Sequence, residues 1–262
     1  MVDRLFDLDS DGCYFKNNTA DFTIMFDGSS YDLRGIQHEA ALIQLTMTNS
    51  YYNISAAQGN NLFVYYNGTA WKTIVLPDGN YNIQYLVQEL QYAMVANGDT
   101  TVDTTTGLTL YPINFVPHYP YSMLTISLNA GYQVDFTQGT LNQLLGFNSA
   151  ILTTSITGPN KTNMNGPIDQ LMIHCSLIGG EMSLNKYPSD VLYSFVPNAA
   201  PMGVIAIERS HPFYIPLSRR DLLSQIRIYI TDQNNGTVNL NCYGLNVIIH
   251  VRPVQRLLVK EK

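Results

Sequence analysis

The chain has 262 residues, of which 45% are hydrophobic and only 13% are charged, whereas about 25% are charged in a typical soluble domain. This composition excludes an intrinsically disordered protein, and no apolar run reaches the roughly 18 to 20 residues of a membrane-spanning helix. The formal net charge of −6 argues against a general nucleic-acid binder, because phosphate recognition needs a concentrated basic face.

The first part of the chain predicts an extended arm followed by strands. Residues 1–20 are acidic but contain Leu5, Phe6 and Leu8, and they show none of the features of a secretory signal. Alternating apolar and polar residues then predict strands over 21–26, 40–48, 61–66 and 71–76. Asn67-Gly68 predicts a tight turn between the last two of these strands.

One long helix is predicted over 82–97. Its apolar residues recur at intervals of three and four, which places them on one helical face: Ile83, Leu86, Val87, Leu90 and Met94. Asn80 or Asn82 can cap the start of this helix. Gly98 suits its end, because glycine readily adopts the left-handed conformation found there.

The rest of the chain again shows strand patterns. Strands are predicted over 108–116, 123–128, 170–178, 191–196, 204–208, 225–231 and 245–251, with a short helical turn over 140–145. Many short strands with one helix, and no regular alternation of strands and helices, favour a sandwich of two antiparallel sheets. We therefore expect an all-β protein: a single jelly roll over 21–252 with one inserted helix, an N-terminal arm over 1–20 and a basic tail over 253–262.

The sequence offers few groups for catalysis or metal binding. None of the five histidines has the spacing that would bring two imidazoles to one strand or helix face, and the three cysteines are widely separated. Signatures of nucleophile elbows, phosphate loops and dinucleotide sites are missing. We therefore expect no catalytic residue, metal or cofactor. A cupin-like or glycoside-processing enzyme on the same sandwich is the least favoured hypothesis.

Aromatic residues are concentrated in the first third of the chain. The cluster contains Tyr51, Tyr52, Tyr65, Tyr66, Trp71, Tyr81 and Tyr85. Tyrosine is a good strand residue, so a structural role accounts for most of them. Exposed aromatic rings also stack on sugars or fill pockets of a partner, and Trp71 is the candidate for glycan stacking. A jelly-roll module for carbohydrate binding or host attachment is therefore the main alternative function.

Several short motifs occur in an order that resembles a known family. They are Tyr52-Asn53-Ile54, then Trp71 and Ile74 leading to 76–81 (LPDGNY) and a helix, then 144–147 (LLGF), 173–178 (IHCSLI), and 228–232 followed by 235–238. This ordered set, spread over residues 20–252, is similar to the penton, or minor capsid, proteins of Polinton/Maverick elements, adintoviruses and virophages.

The resemblance implies a structural protein and not an enzyme. It implies a single jelly roll of which five copies form a homopentamer at each vertex of an icosahedral virus-like particle. Double-jelly-roll major capsid proteins surround that pentamer in the family. The implied location is the virion, after assembly inside the host cell.

Two groups of residues are candidates for contacts between subunits. The apolar arm residues Leu5, Phe6 and Leu8 are candidates for clamping a neighbouring subunit. Arg219 and Arg220, in a predicted connection, can pair either with a neighbour's carboxylates or within their own chain.

The tail is basic and has two interpretations. Arg252 and Arg256 are further candidates for contacts between subunits, and also for facing the capsid interior and for weak contact with packaged DNA. A solvated tail explains the same charges without any partner.

Overall fold

The computed structural model describes residues 4–12, 15–18, 20–26, 31–166, 168–179, 190–218 and 221–254. Their strands, in chain order, are β1 (Arg4–Asp9), β2 (Phe15–Asn18), β3 (Asp21–Met25), β4 (Tyr31–Asp32), β5 (His38–Thr48), β6 (Leu62–Asn67), β7 (Trp71–Val75), β8 (Thr101–Val102), β9 (Thr109–Leu110), β10 (Ile113–His118), β11 (Met123–Leu128), β12 (Tyr132–Asp135), β13 (Ile151–Leu152), β14 (Ile156–Thr157), β15 (Leu171–Cys175), β16 (Val191–Phe195), β17 (Val204–Glu208), β18 (Ile215–Pro216), β19 (Leu222–Leu223), β20 (Gln225–Asp232) and β21 (Leu245–Pro253). The helices are α1 (Ile83–Ala96) and α2 (Leu141–Leu145), and single 3-10 turns cover Ser10–Gly12, Ala56–Gln58 and Tyr119–Tyr121. The expected all-β class is confirmed.

The chain divides into two compact units. The first, here called the sandwich unit, contains Met1–Tyr51 and Ile168–Lys262, and the second, the inserted unit, contains Tyr52–Pro167. Within the single domain predicted over 21–252, the inserted unit has an apolar core of its own. Neither crossing between the units lies in a Gly- or Ser-rich linker or in a charge run, so composition contained no signal of the boundary.

Two antiparallel sheets form the sandwich unit. The first has the strand order β1-β21-β5-β17, with β18 also paired to β5, and the second has the order β16-β15-β20-β3-β2. Several neighbours, such as β1 and β21, are far apart in sequence, which is the connectivity of a jelly roll. Along β21, Leu245, Val247, Ile249 and Val251 are buried and alternate with half-buried residues. Buried side chains of the two sheets meet in one apolar core.

The first described residues form an edge strand and not a free arm. β1 pairs with β21 along its whole length. Phe6 and Leu8 belong to the core, with 6% and 1% of their surface exposed, whereas Leu5 is 67% exposed on the opposite face. The alternating acidic and apolar residues of β1 are therefore the pattern of a half-buried strand.

Helix α1 confirms the prediction made for 82–97. The side-chain oxygen of Asn82 accepts a hydrogen bond from a backbone N–H of the first turn at 2.8 Å, so Asn82 caps the helix. Leu86, Leu90 and Met94, three of the predicted apolar residues, are fully buried. After the last turn Gly98 has a φ of 71°, a conformation that favours glycine and ends the helix.

The inserted unit consists of small antiparallel sheets and α1. Its largest sheet has the order β13-β12-β6-β7, a second has the order β10-β11-β14, and β8 pairs with β9. The core contains the buried residues of α1 together with a group of aromatic rings. Phe63 on β6 lies 5.7 Å from Phe115 and 6.3 Å from Phe136, measured between ring centroids. The opposite face of β6 and β7 carries Trp71.

Candidate interaction surface

Of the three apolar residues predicted to clamp a neighbour, Leu5 alone lies on the surface. Phe6 and Leu8 are buried in the core of their own chain. Phe6 also packs against the rings of Phe26 and Tyr31, with centroids 5.6 and 5.1 Å away. This burial corrects the expectation for Phe6 and Leu8, because a side chain that fills its own core is not available to a neighbouring subunit.

The basic candidates include one residue that the structure describes. Arg252 lies on β21, where its Nε donates to Glu39 Oε1 at 2.7 Å. Its guanidinium carbon lies 3.4 Å from the centre of the Tyr214 ring. These contacts hold Arg252 within its own chain and do not present it as part of a free tail. The other candidates, Arg219, Arg220 and Arg256, lie outside the described residues.

The sandwich unit exposes apolar side chains that the sequence analysis did not single out. Phe213 is 76% exposed and Val204 is 65% exposed. Val204 begins β17, at the other end of the first sheet's strand order from β1 and Leu5. Side chains of a strand point alternately to its two faces, and Ile205, the next residue of β17, is buried. The same alternation therefore indicates that Val204 is exposed. The exposure of Phe213 could have been suspected from its position, since it directly follows a proline in a connection between strands.

A network of polar side chains lies on the second sheet of the sandwich unit. His174 stands between Asp190 and Thr231, with Nδ1 2.6 Å from Asp190 Oδ1 and Nε2 2.8 Å from Thr231 Oγ1. The Tyr229 hydroxyl donates to Asp190 Oδ2 at 2.6 Å, and its ring stacks on the imidazole with centroids 4.3 Å apart. The network therefore connects β15 and β20 with the residue that precedes β16.

Burial and hydrogen bonding act in opposite directions on the pKa of Asp190. Burial raises the pKa of the Asp190 carboxyl group, but hydrogen bonds from His174 and Tyr229 outweigh burial and hold that pKa below its ordinary value. An Asp–His–Thr order can activate a hydroxyl nucleophile when a substrate reaches the hydroxyl. Thr231 is only 4% exposed, so this arrangement stabilises the sheet and does not present a nucleophile.

The described residues show neither a metal-binding cluster nor a membrane-crossing helix. No three of their His, Cys, Asp or Glu side chains come together in a way that could hold a metal ion. None of their helices has the length and apolar character needed to cross a membrane.

Trp71 lies on the outward face of the β13-β12-β6-β7 sheet and is 47% exposed. It pairs across the strands with Tyr66, and the two ring centroids are 5.4 Å apart. A groove of about 390 Å³ runs beside the indole, with Asp135 and Gln138 among its lining residues. The structure therefore places the predicted stacking residue on an open surface, next to polar groups from β12 and from the segment that follows it.

Comparison with known proteins finds a similar fold without a sequence match. No protein-family model and no curated protein matches the chain. The solved structure of the mavirus penton protein is similar to this chain with a TM-score of 0.53 and 8% identity, over 97% of this chain and 100% of that chain. A chain of the Sputnik virophage structure matches with a TM-score of 0.47 and 10% identity, over 95% of this chain and 97% of that chain. What the mavirus comparison shows is a shared fold.

Proposed function

We propose that the chain is a structural capsid protein, a penton that forms the vertices of an icosahedral virus-like particle. The observation that carries this proposal is the fold, which is similar to that of the mavirus penton protein over nearly the whole of both chains. The ordered motifs in the sequence point to the same class of protein. The proposed activity is assembly, without catalysis or a cofactor.

A closed ring of identical subunits needs two different contact surfaces on each subunit. The first sheet of the sandwich unit offers two different edges, each with an exposed apolar side chain. Strand β1 carries the exposed Leu5, and β17, at the other end of the strand order, carries the exposed Val204. A neighbouring subunit that covers these edges removes apolar surface from water and protects strand backbone that has no partner strand within the described part of the chain. We propose these two edges as contacts of a homopentamer.

The other proposed partners belong to the same particle. Double-jelly-roll major capsid proteins surround the pentamer, and the assembled protein is located in the virion after assembly inside the host cell. The basic tail is proposed for weak contact with packaged DNA. Because Arg252 is already paired with Glu39, Arg256 is the better candidate for that contact.

The mass of the purified chain in solution tests the pentamer. Five copies weigh about 147 kDa, five times the 29.3 kDa of one chain. Light scattering over a concentration series, with negative-stain images of the same sample, is expected to show this species as a closed ring. Leu5→Asp and Val204→Asp each place a charge on a proposed contact and are expected to shift the mass to that of the monomer.

Leu110→Asp is the matched control, because Leu110 is an exposed leucine on β9 of the inserted unit. It is expected to leave the pentamer intact. A wild-type chain that remains monomeric at every concentration contradicts a self-closing pentamer. A pentamer that survives both edge substitutions overturns the proposed contacts while leaving the assembly state in place.

A further inference from the structure

The outward face of the β13-β12-β6-β7 sheet combines aromatic rings with polar groups. Residues paired across neighbouring strands share a face, so Trp71, Tyr66 and Gln133 stand side by side in one row. The next row contains one residue from each strand: Thr73, Val64, Asp135 and Ile151. A third row contains Leu62 and Val75. The face thus combines aromatic and aliphatic side chains with an amide in its first row and with a carboxylate and a hydroxyl in its middle row.

The Asp135 carboxylate has one oxygen that accepts hydrogen bonds within the chain and a second that is available to a ligand. Its Oδ1 accepts hydrogen bonds from the backbone N–H and the hydroxyl of Thr137, at 2.8 and 2.6 Å. Its Oδ2 has no hydrogen bond or ion pair with any residue that the structure describes. Gln138 and Thr73 line the same groove and add an amide and a hydroxyl group. The groove therefore presents both donors and acceptors beside the indole.

The dimensions of this face suit a small ligand better than a protein. Strands lie about 4.8 Å apart and residues on one face of a strand about 6.7 Å apart, so the three rows over four strands span roughly 14 Å by 13 Å. A stable protein interface covers about 800 Å² of each partner, which is a much larger area. The groove volume of about 390 Å³ lies instead within the range of roughly 300 to 1,000 Å³ found for small-molecule sites.

We infer that this face binds a neutral oligosaccharide, an activity that is independent of the proposed assembly. A pyranose ring has an apolar face of C–H groups that packs on the Trp71 indole, and its hydroxyl groups donate to Asp135 and pair with Gln138. Trp71 and Asp135 are two strands and one row apart, roughly 12 Å between Cα atoms, a distance that two linked pyranose rings can span. The Asp135 carboxylate repels an anionic ligand such as a nucleic acid.

The test uses the purified full chain and four disaccharides: lactose, maltose, cellobiose and N,N′-diacetylchitobiose. Trp71 is the only tryptophan of the chain, so its fluorescence reports on this face alone. At least one sugar is expected to change that emission in a saturable way and to give a saturation-transfer NMR signal. Asp135→Asn retains an acceptor oxygen for Thr137 but removes the charge, and it is expected to weaken binding at least about tenfold.

Trp71→Ala is expected to abolish the NMR signal of the bound sugar. Tyr85→Ala is the matched control, because Tyr85 is a 53% exposed aromatic residue on α1 of the same unit, and it should bind as the wild type does. Circular dichroism verifies that each variant is folded. The proposal is overturned if none of the four sugars gives a signal at tens of millimolar, or if Trp71→Ala binds normally. Loss of self-association in Trp71→Ala without sugar binding would assign this face to a protein contact instead.

Discussion

The carboxylate of Asp99 connects the end of helix α1 to the hairpin of β6 and β7. Its side chain is 6% exposed, and it accepts hydrogen bonds from the Tyr65 hydroxyl at 2.5 Å, from Asn67 Nδ2 at 2.8 Å and from Lys72 Nζ at 2.9 Å. Lys72 also donates to the backbone carbonyl of Asn97, the residue at the end of α1. Asp99→Asn removes the charge from the centre of this network and keeps the shape of the side chain.

The expected loss of stability follows from the number of donors. An amide has one acceptor oxygen, so at least one of the three donors loses its acceptor in Asp99→Asn. A hydrogen bond to a charged group contributes about 1.5 to 3 kcal/mol. The Lys72 side chain is 30% exposed and can be partly hydrated, so we expect a decrease of about 2 to 3 kcal/mol in the free energy of unfolding. Urea unfolding followed by the emission of Trp71, next to Lys72 on β7, measures this decrease.

Asp103→Asn is the matched control in the same unit. Asp103 lies between β8 and β9, where its carboxylate accepts from the backbone N–H groups of Thr105 and Thr106. An asparagine oxygen accepts the same bonds, so the expected change is below about 0.5 kcal/mol. If Asp99→Asn has no larger effect than this control, the network does not stabilise the unit and the reasoning is refuted.

The same carboxylate makes stability depend on pH in the acid range. Burial raises the pKa of Asp99, but hydrogen bonds from Tyr65, Asn67 and Lys72 together outweigh burial, so the folded-state pKa lies below the ordinary value. A lowered folded-state pKa gives stability that is present above the unfolded-state pKa of about 3.9 and is lost as the pH falls through the folded-state value. The free energy of unfolding should therefore fall below about pH 4, and the fall should be smaller in Asp99→Asn.

Three further experiments test the positions of single side chains. Phe6→Ala empties a core position and should lower the free energy of unfolding by about 3 to 5 kcal/mol. Leu5→Ala should lower it by less than about 0.5 kcal/mol. Equal losses of the two variants in urea unfolding would contradict the pairing of β1. Iodoacetamide should modify Cys242 in the native protein, which mass spectrometry detects. It should spare Cys175, because burial raises the pKa of that thiol to about 12. Rapid modification of Cys175 would refute its burial. Asn53 donates through Nδ2 to two backbone carbonyl groups, so Asn53→Asp should lower the melting temperature more than Asn53→Ala, and the reverse order would argue against these bonds.

Hydrophobic periodicity was sufficient to predict α1 and most of the strands, because each of these elements buries one face. Leu86, Leu90 and Met94 illustrate this, since all three are buried as their spacing indicates. Periodicity could not predict the division into two units. A strand of the inserted unit, such as β6, and a strand of the sandwich unit, such as β21, show the same alternation. Which core a strand joins depends on its partners, and these partners are far away in sequence.

The surface candidates show the same limit at the level of single residues. Trp71 was found from its residue type, and it lies half-exposed as a stacking residue must. Phe6 and Leu8 were assigned to a contact with a neighbour because they stand in an acidic segment near the chain start. Their spacing of two residues indicates a strand, but β21, the strand that pairs with it, lies more than two hundred residues later. Without that partner, an apolar residue cannot be assigned to the core or to an interface.

The network around His174 shows why residue types alone do not define a catalytic site. Asp190, His174 and Thr231 have the order and the hydrogen-bond distances of a nucleophile with its base. Reaction also requires space for a substrate at the hydroxyl, and Thr231 is buried within its sheet. In that position the same bonds satisfy polar groups that burial would otherwise leave unpaired, which is a contribution to stability. Because these three residues are separated by up to 57 positions, the sequence could not distinguish a buried network from an open site, and burial decides the matter.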